Sequence, residues 1–457
     1  MYSRLFPSGN KRPVELRPVV ALGRAAISIL CMRKLWPVLV VCLGSACGRT
    51  TERSEGRFRI PSVPRVPIAS ATETPAPGTT PGPTPVGSVP GATPTPTATP
   101  GSSAKSGEID PTFHGLAGII GQYTIQSVVE DGAGRLLFTG WQDSLAVCRL
   151  LGDGGADPAF GDGGGCAHVD VHTEGTTGYR VAIHGDRIYV AAQSWSGPQS
   201  AAFVARFTLE GTLDATFGTN GLATLPAGMA DPDRLVFDGS GLVVAAWSAA
   251  GPMLARLMLA GALDPVFGDG GTVVVGKNAG PHGLVRLADG RLIVLVRDQV
   301  FAFDALGHAR TDFGTGGVLT LPFVATVISP DAKGHLLAGS DDLVAVRFTT
   351  SGTILAIYPP TDPGISEDGI QRTFYVLDLW VEDDGRMLFG GINATDDVYM
   401  GIGRRLPDGT PDPAWGVGAS TWYLGNAKGW SIVVLRDGRY VLAGDVEEAG
   451  SMIRVIN

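Results

Sequence analysis

Asp157-Pro158-Ala159-Phe160-Gly161 returns as Asp264-Pro265-Val266-Phe267-Gly268 and again as Asp412-Pro413-Ala414-Trp415-Gly416. Asp110-Pro111-Thr112-Phe113 opens the same series, Asp214-Ala215-Thr216-Phe217-Gly218 lacks only the proline, and Thr311-Asp312-Phe313-Gly314 keeps less. Two further pieces recur with it. One is a turn running into an apolar strand, as in Gly134-Arg135-Leu136-Leu137-Phe138 and Gly385-Arg386-Met387-Leu388-Phe389. Asp289-Gly290, Asp384-Gly385 and Asp437-Gly438 mark such turns, because a type I′ hairpin needs positive φ. The other is a strand carrying Arg149, Arg206, Arg256, Arg347, Arg404 or Arg454, with Ala302 in the fourth copy.

The strand anchors are Leu136, Ile188, Leu242, Leu292, Leu336, Met387 and Tyr440, spaced 52, 54, 50, 44, 51 and 53 residues apart. A period near 50 with about four short strands per unit predicts an all-β fold, a seven-bladed β-propeller. A single four-stranded sheet cannot cover both its faces, whereas sheets stacked around an axis cover one another. The last arginine strand, ending at Asn457, lacks the continuation found in the other copies. That continuation stands at residues 107–113, so seven complete units require the chain's two ends to close a ring.

These pieces, spanning nearly all of residues 107–457, resemble the delta-60 repeat family of bacterial β-propeller proteins. The likeness weakens in the unit where Tyr358-Pro359-Pro360-Thr361-Asp362-Pro363 replaces the expected piece.

Upstream of the repeats the chain changes character. Met32-Arg33-Lys34, the apolar run Leu35–Leu43 and Gly44-Ser45-Ala46-Cys47 resemble a bacterial lipoprotein signal peptide. The run is too short to span a bilayer, which takes about 20 residues. The resemblance implies cleavage before Cys47 and acylation of its sulfur, with Cys31 and Cys42 removed. The alternative is a plain cleavable signal ending near Ala46. Met32 is read as the true start, and residues 1–46 as the signal segment. Gly48, not Asp, follows the cysteine, which favours the outer membrane of the bacterial cell envelope; a secreted protein is the alternative.

Residues 47–106 form a tether rich in Pro, Thr, Gly, Ser and Ala, too poor in apolar residues for a core. At about 3.1 Å per residue its extended proline-rich part reaches on the order of 100 Å. Charge divides at the same boundary. Residues 1–106 carry 13 Lys/Arg against 4 Asp/Glu, which leaves 22 against 40 for residues 107–457. Such an acidic domain argues against a nucleic-acid partner.

Candidate chemistry is sparse. The once-per-unit Arg and Asp are expected to hold the structure together, as a two-pronged Arg–carboxylate pair would. His168, Asp170 and His172 alternate on one strand and are the weak candidates for a metal site, for which an ordinary polar strand face is the alternative. Asp341-Asp342, Asp383-Asp384 and Asp396-Asp397 lack an EF-hand pattern and read as turn residues. Cys148 and Cys166 are a possible disulfide. No Gly-x-Ser-x-Gly, Walker, His-Glu-x-x-His or Rossmann pattern occurs, so no catalytic residue and no cofactor is expected. The expectation is a lipid-anchored, non-catalytic binding or scaffolding protein with a protein or glycan partner. Unmatched loops such as 193–199 and 358–372 would set its specificity. A secreted polysaccharide lyase or hydrolase built on a propeller is the alternative, and a purely structural envelope role a third.

Overall fold

Short apolar runs broken by Gly- and Asp-bearing turns leave the chain little choice but hairpins, and the computed structural model is built of them almost throughout. It describes residues 106–115, 124–171, 174–196, 199–277, 279–360, 374–394, 398–415, 420–425, 427–446 and 449–457. All of these fall within one compact unit, Ala92–Asn457.

The strands follow in antiparallel runs. The first run is β1 (Thr124–Glu130), β2 (Leu136–Gln142), β3 (Leu145–Leu150) and β4 (Cys166–Val169). The second is β5 (Gly175–His184), β6 (Arg187–Ser196), β7 (Gln199–Thr208) and β8 (Leu222–Thr224). Then come β9 (Ala230–Phe237), β10 (Gly241–Trp247), β11 (Met253–Met258) and β12 (Thr272–Val274). They are followed by β13 (Gly283–Arg286), β14 (Leu292–Val296), β15 (Gln299–Phe303) and β16 (Val318–Thr320). The fifth run is β17 (Val327–Pro330), β18 (Leu336–Gly339), β19 (Ala345–Phe348) and β20 (Ile354–Tyr358). The sixth is β21 (Phe374–Val381), β22 (Met387–Ala394), β23 (Val398–Arg405) and β24 (Ser420–Gly425). The last has β25 (Ala427–Val434), β26 (Tyr440–Val446) and β27 (Ala449–Val455).

Five runs are separate sheets, four of four strands and one of three. The first two runs join into one eight-stranded sheet, because the end of β2 pairs Trp141 with Thr177 and Gln142 with Thr176 on β5. The arrangement is propeller-like. The first strand of each run lies against the first strand of the next: β1 against β5, then β9, β13, β17, β21 and β25. β25 in turn lies against β1.

Alternation along each second strand drives the stacking. Leu136 and Phe138 pack with Leu435, Val441 and Met452 of the last run, while Leu137 between them packs with Val181 and Ile188 of the second and with Phe160 of its own run. Both faces of the sheet are thus apolar, and each is covered by a neighbour. The sequence anchors Ile188, Leu242, Leu336, Met387 and Tyr440 are all wholly buried.

The tail does meet the stretch after the proline-rich segment. Ile109 bridges Val455 in antiparallel fashion, Gly107 N donates to the Ile456 carbonyl at 2.8 Å, and Asp110 N donates to that of Arg454 at 2.8 Å. The three-stranded sheet receives its outer partner from the start of the domain.

Candidate functional site

The recurrent Arg and Asp prove to be internal fastenings. Arg149 Nε donates to Asp157 Oδ2 at 2.8 Å, Arg404 Nε to Asp412 at 2.6 Å, and Arg454 Nε to Asp110 at 2.9 Å. Each pair is single-pronged and lies within one sheet, not two-pronged as the sequence led us to expect. The reason is local: the carboxylate's other oxygen accepts the amide two residues on, as Asp157 Oδ1 accepts from Ala159 N at 2.9 Å. What crosses from one run to the next is the guanidinium's far end. Arg149 reaches the Leu209 carbonyl, Arg206 that of Leu259, and Arg454 that of Gly152. The guanidinium also stacks on the motif's aromatic ring, 4.5 Å from Phe160 and 4.2 Å from Trp415. A backbone bond adds to the fastening: Gly161 N donates to the Glu210 carbonyl at 2.8 Å, Gly218 N to that of Ala260 at 2.8 Å.

Two units that look degenerate in sequence are repaired in space. In the fourth, Arg310 N donates to the Ala302 carbonyl at 2.8 Å, the bond Asp157 N makes to Arg149. Arg310 therefore occupies the aspartate's place, and arginine and aspartate have been lost together. Arg291, one strand over, reaches the Thr350 carbonyl at 2.7 Å and replaces the missing cross-link. In the fifth, Tyr358 takes the aromatic's place: it is buried, and Arg347 sits 5.7 Å from its ring. Buried Arg405 bonds to the Gly409 and Pro359 carbonyls beside it, and burial pushes its guanidinium down to about 10.

The other candidates scatter. His168 lies on β4 with Nδ1 3.6 Å from Asp162 Oδ2, Asp170 follows the strand, and His172 lies outside the described residues. Among the described residues no three His, Cys, Asp or Glu side chains gather to hold a metal ion. Cys148 and Cys166 face each other across β3 and β4, Cα atoms 4.0 Å apart, with their sulfurs bonded. Asp341 and Asp342 accept the amides of Val376 and Phe374 at 3.1 and 3.0 Å, tying one unit to the next. Asp384 closes its turn on the Arg386 amide. Cys47, Asp396, Asp397 and residues 361–373 lie outside the described residues.

What remains for function lies at the axis and at one end. The inner strands carry β-bulges at corresponding places, between Ile125 and Ser127, Gly178 and Arg180, Val376 and Asp378, and Gly429 and Ser431. The residue after each bulge, and Arg234 after the register shift that separates it from Ala230 in β9, stands opposite the residue three past the anchor. Sequence reading missed this set, because inner-strand residues differ from copy to copy. These side chains bond to the following unit: Ser127 Oγ accepts Val181 N at 3.2 Å and Asp378 Oδ2 accepts Ile432 N at 3.0 Å. Arg180 Nε donates to the Asp233 carbonyl at 2.9 Å, and Arg234 Nη2 to that of His282 at 3.1 Å. A cavity of about 200 Å³ opens among Arg180, Arg234, Leu284, Val327, Ile328 and Asp378.

Where the inner strands begin and the second strands end, Trp141 and Trp247 stand 47% and 43% exposed. Each is five residues past its anchor, opposite Thr124 and Ala230 respectively. Trp195, partly exposed, lies at the same end, opposite Gly175. The Arg–Asp fastenings occupy the other end.

A family model described as a domain of unknown function (DUF5122) beta-propeller matches residues 186–217, which hold β6, β7 and the Asp214–Phe217 motif. No curated protein matches the chain. Similar solved structures include the WD40 beta propeller domain of Doa1, at 12% identity and TM-score 0.43, over 76% of this chain and 96% of that one. YCF48 bound to D1 peptide is similar at 10% identity and TM-score 0.44, over 79% and 100%. A protein of unknown function from Bacteroides caccae is similar at 13% and 0.34, over 51% and 81%.

Proposed function

We propose that this chain is a seven-bladed propeller of the delta-60 type, exported and anchored to the cell envelope through a lipid on Cys47. In this reading it works as a non-catalytic binding or scaffolding module. Support for the blade count comes from the cyclic order of inner strands, β1 to β25 and back, and from Ile109 completing the last sheet against Val455. The lipid anchor rests on the residues before Cys47 alone.

The observation that carries the binding role is the pair of exposed tryptophans, Trp141 and Trp247, at one end of the ring. Large half-exposed aromatics on rigid strands lose little conformational freedom on contact and dominate recognition surfaces. The repeated charges, by contrast, are consumed in joining sheets. The partner is a protein or a glycan that covers this end.

The test is cross-linked capture from envelope extracts with the full chain, beside a Trp141→Ala/Trp247→Ala variant. A defined partner retained by the natural chain and lost by the variant supports the role. Equal capture by both contradicts it, and turnover of any glycan on an array would establish the lyase or hydrolase reading instead. A Cys47→Ser chain should leave the membrane fraction if the anchor is real.

A further inference from the structure

The axial cavity calls for a different occupant from the end face. At about 200 Å³ it is smaller than the roughly 300 Å³ at which drug-sized sites begin, so neither a folded partner nor an oligosaccharide fits. Its walls are polarised. Arg180 and Arg234 supply one side from β5 and β9. Asp378 supplies another from β21, and Leu284, Val327 and Ile328 of β13 and β17 lie between them in chain order.

Arg180 is the unfinished group. Its Nε is satisfied by the Asp233 carbonyl, yet among the described residues its two Nη nitrogens have no hydrogen-bond partner. Burial, and then the charge of Arg234, push its guanidinium below the ordinary value, while Asp378 and Asp233 pull the other way. Arg234 is itself held by the Asp233 and His282 carbonyls and lies 3.2 Å from the Asp233 carboxylate. A part-buried guanidinium fork beside a second cation is stabilised by a planar carboxylate that takes both Nη atoms. Asp378 is at more than ion-pair distance from either arginine. Each of its oxygens accepts one amide, from Leu379 and Ile432 at 3.0 Å, which leaves lone pairs for a further donor.

We propose that the axial cavity binds a free α-amino acid with an apolar side chain: carboxylate on Arg180 beside Arg234, ammonium on Asp378, side chain against Leu284, Val327 and Ile328. The pairing explains why opposite charges in so small a space stand apart instead of neutralising each other. It goes beyond the docking role and does not depend on it, since the tryptophans lie outside the cavity.

The test is calorimetric titration of the full chain with leucine, glycine, acetate and propylammonium. Leucine is expected to bind one to one, at least tenfold more tightly than glycine and than either single-charge probe. Arg180→Gln and Asp378→Asn are each expected to weaken leucine binding tenfold or more, with Arg180→Lys retaining part of it. Melting curves identify any variant that has lost its fold, and the four-ligand comparison on the natural chain decides the matter without variants. Acetate binding as tightly as leucine, or no leucine binding up to millimolar concentration, would overturn the proposal.

Discussion

Arg454 and Asp110 are joined by a 2.9 Å charged hydrogen bond across a sequence separation of 344 residues. It is the same bond that Arg149 makes to Asp157 eight residues away. A motif made locally in other units is here completed by the two extremes of the folded region, and Arg439 adds a second contact to the same Asp110 oxygen at 2.5 Å.

Removing Asp110 should therefore cost more than removing a comparable surface charge. Its side chain and that of Arg454 are both about 95% buried, and breaking a buried pair leaves an uncompensated ion, worth about 3–5 kcal/mol. Asp110→Asn is expected to fall at the low end, about 3 kcal/mol, because the amide still accepts one bond. Asp186→Asn, whose carboxylate meets Arg187 in the open, should change stability by less than about 1 kcal/mol. Urea unfolding of the two variants makes the comparison.

The same aspartates set an acid limit. Burial opposes the charge on Asp110 and Asp157, but hydrogen bonds from Thr112 and from the Ala159 amide, with the neighbouring arginines, hold both below the ordinary 3.8. Asp214 is lowered too, chiefly by the Thr216 hydroxyl. A carboxylate depressed in the fold gives its full stabilisation above the unfolded value and loses it as the pH falls towards the folded one. Stability should thus be flat near neutrality and drop below about pH 4, as followed by denaturant midpoints at stepped pH. Asp110→Asn should show a shallower drop.

Gly211 marks a close contact between two units. Its φ is +88°, and a Cβ there would lie 2.8 Å from Gly161 N and 3.0 Å from the Phe160 ring. Gly161 N is itself bonded to the Glu210 carbonyl and cannot retreat. Gly211→Ala combines a left-handed backbone with a backbone clash and should cost about 2 kcal/mol or more, read from thermal and urea unfolding. Gly185→Ala, with a positive φ and no atom within 4 Å, should cost about 1 kcal/mol.

Cys148 and Cys166, 18 residues apart, close a loop around the Asp157–Phe160 motif. Closing a loop of about this length constrains the unfolded chain by about 3 kcal/mol. Reduction, or Cys148→Ala with Cys166→Ala, should lower stability by about 2–4 kcal/mol without loss of the fold. A mass increment on thiol alkylation, before and after reduction, reports the bond itself.

The repeat was legible because its carriers serve the same contact in every unit. An anchor such as Leu242 and an aromatic such as Phe267 must fill equivalent buried sites, so their identities recur at fixed intervals. Arg291 was illegible for the opposite reason: it reaches the right carbonyl from a neighbouring strand, and position in sequence does not encode position across a sheet. Tyr358 was hidden because it stands without the aspartate that flags the other aromatics. The axial groups Arg180, Arg234 and Asp378 share a place but not a chemistry. Bulges in β5 and β21 shift the count by one residue, and only the strand register reveals their equivalence.

Closure of the ring is the claim from which the rest follows, and one distance tests it. Spin labels at Glu108→Cys and Ile456→Cys, in a full chain lacking other free thiols, flank the bond from Ile456 N to the Glu108 carbonyl, 2.9 Å long. Pulsed dipolar spectroscopy should return a single short and narrow distance that lengthens only on unfolding. A long or broad distribution in the native protein, as an open array of sheets gives, would contradict the account.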